Sequence, residues 1–109
     1  MSDKIREELD YIIKTIVRKS KPERIILFGS YASGNPKSWS DFDLFVIKDT
    51  SKRQIERARE IRRILPRGRS KGVDLIVLNP EEFNQALKER NIFLSKILKE
   101  GKELYARIK

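Results

Sequence analysis

The chain contains no cysteine and no histidine. Their absence excludes disulfide staples, zinc centres of the Cys/His kind, thiol nucleophiles and every scheme that uses imidazole as its base. Any chemistry falls to carboxylates, hydroxyls, Lys/Arg and hard metal ions. Long apolar runs are missing too. They extend only a few residues, as in Ile25-Ile26-Leu27-Phe28, so no membrane span or secretory signal is read and a cytoplasmic location is expected. At 109 residues the chain fits one domain, residues 1–109, large enough to bury a core unaided.

Charge of one sign is not scarce. The formal net charge is +9, and segment 52–71 alone carries nine basic and two acidic groups. Such a segment suits a polyanionic partner: nucleic acid, nucleotide or an acidic protein. It equally suits a solvated helix face.

Ser2 followed by Asp3 opens a helix whose apolar side is Ile5, Leu9, Ile12, Ile13, Ile16 and Val17, with Pro22 as its stop. Residues 24–29 read as a buried strand ending at Gly29. Residues 30–40 read as a loop, with one helical turn at its start. A second strand spans 41–47. Ser51 to Gln54 matches a capping box, and a helix over about 52–65 follows, with Ile55, Ala58, Ile61, Ile64 and Leu65 inward. A basic loop then leads to a third strand, 73–78. Asn79 and Pro80 start a helical pattern through Phe83, Ala86 and Leu87 that recurs through Phe93, Leu94, Ile97 and Leu98 and stops at Gly101, and the last residues suit a short strand. A strand–helix–strand unit over 41–78 requires parallel strands joined by a right-handed crossover. The expected fold is α/β, a small mixed β-sheet with flanking helices.

Aspartate disfavours strands, yet Asp41 and Asp43 sit one residue apart where a strand begins, on one face of it. Asp74 has the same place in the third strand. If those strands are parallel neighbours, the three carboxylates meet at one sheet edge. If the first strand is antiparallel to the second, the Gly29-Ser30 turn joins them. Clustered carboxylates need a neutralising cation. With only oxygen ligands at hand that cation is Mg²⁺ or Mn²⁺, which combines carboxylates with substrate phosphates. A glycine that admits a phosphate, followed by N–H groups and the Ser30 hydroxyl, supplies the other half of a metal–triphosphate site. Two ions would activate an attacking hydroxyl and stabilise leaving pyrophosphate. Taken singly, Gly-Ser is a turn, Asp-x-Asp a loop margin, and Asp74 a salt-bridge partner for Arg24, Arg67 or Arg69. Tyr31, Trp39 and Tyr105 suit either base stacking or packing.

Gly29-Ser30, ten intervening residues and Asp41-Phe42-Asp43 resemble the signature of the DNA polymerase β-like nucleotidyltransferases. The segments FGSYASG, SDFDLFV, VDLIVL and ILKEGKELYA make the chain similar to their smallest branch. These are the minimal nucleotidyltransferases, often encoded beside a HEPN-domain partner as toxin–antitoxin pairs. The resemblance implies a nucleotidyltransferase core. Asp41 and Asp43 would bind both metal ions. Asp74 would complete the triad and help deprotonate the acceptor. Gly29 and Ser30 would hold the β and γ phosphates. It further implies AMP transfer from ATP to a tyrosine of a HEPN partner, whose ribonuclease activity is thereby silenced. The sequence departs from the family at Ser33, where arginine is common and a phosphate or acceptor contact is lost. It departs also at Phe42, read as core. Other readings are an antitoxin acting by contact alone, a nucleic-acid-binding domain using segment 52–71, and transfer to a small molecule.

Overall fold

The computed structural model describes residues 1–108; Lys109, the last residue of the expected domain, lies outside the described residues. Helix α1, Asp3–Ser20, begins where Ser2 Oγ accepts the Ile5 N–H and ends at left-handed Lys21. Strand β1 is Arg24–Phe28, and Ser30–Ser33 is the one-turn helix α2. Strand β2 is Phe42–Ile47, helix α3 Gln54–Ile64 and strand β3 Val73–Leu78. Asn79 and Glu82 form a reciprocal capping box on helix α4, Pro80–Lys88. Asn91 caps helix α5, Ile92–Glu100, and strand β4 is Lys102–Ala106.

The strands form one mixed sheet in the order β3-β2-β1-β4. β1 is antiparallel to β2 and β4, whereas β2 and β3 run parallel. Both faces are covered, as the near-continuous apolar runs of the central strands require. Ile25, Leu27, Phe42, Leu44 and Val46 face a core that includes α1 and Ile61 and Leu65. Ile26, Phe45 and Ile47 face Leu94 and Ile97 of α5 and half-buried Phe83 of α4.

Two sequence expectations fail at α3. The Ser51 capping box does not form: the helix starts after Arg53, whose side chain makes no cap bond, and Thr50 Oγ1 takes the Lys52 N–H. Ile55 is exposed, and Arg57 is the buried residue of that first turn. Arg57 is held by Glu82 Oε1 at 2.5 Å, Lys52 O at 2.6 Å and Val77 O at 3.3 Å. A charge with a full set of acceptors tolerates burial, and helical periodicity does not report such partners.

Candidate active site

Strand polarity assembles the site. Antiparallel pairing sets Phe28, the last residue of β1, opposite Asp43, and parallel pairing sets Asp74 opposite the same Asp43. The end of β1 and the starts of β2 and β3 therefore share one edge. Phe42 and Leu44 point into the α1/α3 core, so by alternation Asp43 takes the other face, and Asp74 takes that face beside it. Asp41 lies one residue before β2, where sequence placed it inside the strand. Its Oδ1 accepts the Gly72 N–H at 3.1 Å.

Two glycines let backbone close on these carboxylates. Gly29 has φ 73° and ψ −154°, a region that side chains other than glycine's rarely enter. A Cβ there would overlap Asp43 Oδ2 and stand 3.0 Å from its Cγ. At Gly72 a Cβ would lie 2.8 Å from Asp41 Oδ1. Gly29 N-caps α2 without a side-chain bond, and the first N–H groups of a helix have no intrahelical acceptor. The turn thus offers donors beside the acidic edge. Sequence reading passed over Gly72, because a glycine in a basic loop carries no signal until its neighbour in space is known.

Burial pushes the Asp43 carboxyl up to about 6, helped by the charge and hydrogen-bonding reach of Asp74 and, less, by the charge of Asp41. As placed, the described residues contain no group of three or more His, Cys, Asp or Glu arranged to hold a metal ion. The donor set nevertheless fits a hard divalent cation. It is all oxygen, it is mutually repulsive, and glycine backbone clears the approach to Asp43 and Asp41. Asp41, Asp43 and Asp74 could hold one. The alternative pairing of Asp74 is not realised among the described residues: Arg24 bonds Glu103 at 2.7 Å and Arg69 bonds Pro66 O.

A cleft of about 330 Å³ opens beside Gly29, lined also by Phe28, Ser33, Phe93 and Lys96. The Phe28 and Phe93 rings meet edge to face, 5.9 Å between centroids. Lys96 places a cation on the wall shared with Ser33. It was invisible in sequence, where it reads as one more exposed helix lysine. Of the candidate stacking residues, Tyr31 is core, its ring 4.9 Å from that of Phe42. Tyr105 is half-buried against the α1 side, and Trp39 stands 78% exposed. No helix is long and apolar enough to cross a membrane among the described residues.

The model of a family described as "Polymerase beta, Nucleotidyltransferase" matches residues 10–109. A crystal structure of a toxin–antitoxin with AMP-PNP is similar over 90% of this chain and 73% of its own, at 26% identity and TM-score 0.65. A mutant of the toxin–antitoxin MntA-HpeT is similar over the same shares, at 24% identity and TM-score 0.63. Spectinomycin adenyltransferase AAD(9) from Enterococcus faecialis, with ATP and spectinomycin, shares the fold over 95% of this chain and 57% of its own, at 17% identity and TM-score 0.63. No curated protein matches the chain.

Proposed function

This chain belongs to the polymerase beta nucleotidyltransferase family, and from that premise we propose that it moves a nucleoside monophosphate, AMP from ATP, onto a protein hydroxyl. We take the acceptor to be a tyrosine of a HEPN toxin partner, so that the chain acts as an antitoxin. The observation that carries this reading is the convergence of Asp41, Asp43, Asp74 and the Gly29 turn on one sheet edge. Similarity to a toxin–antitoxin with AMP-PNP supports the nucleotide and the kind of partner.

In this reading Gly29 lets the polyphosphate approach the start of α2, and the Ser30 hydroxyl and N–H groups donate to its β and γ oxygens. The acceptor oxygen forms a bond to the α-phosphorus as the α–β bond breaks and pyrophosphate leaves. Asp74, on the exposed margin of the edge, accepts the hydroxyl proton. Asp41, bonded by the Gly72 N–H, and Asp43, packed close against Gly29, keep the ligand set in position. Asp41, Asp43 and Asp74 would hold Mg²⁺, which would supply neutralisation of the charge that develops during transfer. The protein contributes placement and electrostatics, the usual sources of rate in phosphoryl and nucleotidyl transfer.

The test is incubation with α-labelled ATP, GTP, CTP or UTP, Mg²⁺ and source-cell lysate, beside Asp41→Asn/Asp43→Asn. A labelled protein band seen only with the unsubstituted chain is the expected result. A folded, partner-binding chain that labels nothing would replace the reading with neutralisation by contact.

A further inference from the structure

The fold sorts seven of the nine basic residues of segment 52–71 into two groups. Lys52 pairs with Glu60, Arg53 with Glu56 and buried Arg57 with Glu82, so each of these charges has a carboxylate partner. Arg62, Arg63, Arg67 and Arg69 instead line one polar cavity of about 480 Å³ at the end of α3, with no carboxylate in its lining. Arg62 donates to Val73 O and Arg69 to Pro66 O and Lys71 O. Those bonds fix the guanidinium planes and leave their formal charge uncancelled. Arg63 and Arg67 are exposed and make no hydrogen bond or ion pair among the described residues. The acids nearby are committed: Glu60 to Lys52, and Glu8 to the N–H and hydroxyl of Ser70.

A second feature adjoins the cavity. Lys71 Nζ donates to Ser38 O, tying the arginine loop to the segment that bears Trp39. Trp39 is the only tryptophan of the chain, and its ring is unpacked. The next residue of the loop, Gly72, bonds Asp41. Arginines, a bare indole and the acidic edge thus lie along one connected stretch of surface.

We propose that this surface binds single-stranded nucleic acid, with successive phosphates on the arginines and a base stacked on Trp39, beside the aspartates. Guanidinium forks match phosphate oxygens two at a time, and an aromatic platform next to a basic groove is the pattern of single-strand binding. An acidic protein segment fits less well. Protein interfaces draw their affinity from buried apolar and aromatic anchors, and this cavity is polar. A phosphodiester strand binds on charge and stacking alone. The site requires no catalysis, so it stands or falls apart from the transfer reaction.

The experiment is titration with a short labelled oligouridylate from about 50 to 200 mM salt, followed by strand anisotropy and by tryptophan fluorescence. The expected result is salt-sensitive binding with quenching of Trp39. Arg63→Ala/Arg67→Ala should weaken binding at least about tenfold and flatten the log–log salt slope by about 1.4, two phosphate contacts' worth. Arg63→Lys/Arg67→Lys should restore most of the slope. Trp39→Ala should weaken binding about tenfold with the slope unchanged. Circular dichroism checks that the variants fold, which their exposed positions favour. The proposal is overturned if the strand does not bind, if the double alanine variant binds as the wild type does, or if polyglutamate binds more tightly than the strand.

Discussion

Replacing Gly29 by alanine tests how closely the site is built. The backbone at this position has φ 73° and ψ −154°, a conformation that costs a residue bearing a Cβ about 1–3 kcal/mol. The added carbon also overlaps Asp43 Oδ2, so the carboxylate must turn away. An off-rotamer side chain adds about 0.5–1.5 kcal/mol. The sum is about 3 kcal/mol, or roughly 10–20 °C in Tm for a domain of this size. Gly34 supplies the control. Its φ is also positive, at 84°, but a Cβ there meets nothing within 4 Å, so Gly34→Ala should cost only about 1 kcal/mol. Denaturant titration measures both losses, and labelled-nucleotide transfer measures function. Transfer by Gly29→Ala should fall more than about a hundredfold, as expected when reacting groups shift by an ångström, while Gly34→Ala keeps it. If the two variants lose equal stability and both transfer normally, contact between Gly29 and Asp43 is not what shapes the site.

Asp41→Asn/Asp43→Asn should abolish transfer yet match or exceed wild-type stability at neutral pH without metal, because it relieves a repulsive cluster. Mg²⁺ at ten times its Kd should stabilise only the wild type, by about 1.4 kcal/mol in a thermal melt. Arg57→Met should cost about 2 kcal/mol, since a buried ion pair and two carbonyl bonds disappear while packing is kept. At Glu82, burial raises the carboxyl, but hydrogen bonds from Arg57 and Asn79 and the Arg57 charge bring it below its ordinary 4.5. The stability from this pair is therefore complete above pH 4.5 and lost as pH falls through the lowered value. An acid titration of unfolding should show that loss in the wild type and not in Arg57→Met. Lys96→Ala should raise the KM for ATP about fivefold with little change in kcat, if its charge meets the polyphosphate in the cleft beside Gly29.

Much of this architecture is written locally. The strands announce themselves as short apolar runs between breakers. A parallel 41–78 unit beside an antiparallel first strand leaves one way for Asp43 and Asp74 to meet, which is the register observed. Capping at Ser2, Asn79 and Asn91 needs only the residues a turn away. What sequence hides is whatever depends on distant partners. Ile55 follows the helical stripe and is exposed, while Arg57 departs from it and is buried, because Glu82 lies across the domain. Tyr31 and Trp39 look alike as candidates for stacking; only packing against Phe42 tells them apart. A charge count over 52–71 sums all its arginines and lysines, yet ion pairs to Glu56, Glu60 and Glu82 give three of them a carboxylate partner.

The α3 arginines have one more consequence, at the margin of the sheet. β3 is an outer strand. Gly72 and Leu78 give their carbonyls to β2, so by alternation Val73, Leu75 and Val77 turn theirs outward, where another molecule's strand would attach. Arg62 occupies the first of these and Arg57 the third. The docking rail for a foreign strand is thereby interrupted at both ends. Two side chains recruited from the crossover helix act as stoppers. They obstruct strand addition along this flank and leave β4, the opposite outer strand, as the edge where a foreign strand meets no such stoppers among the described residues.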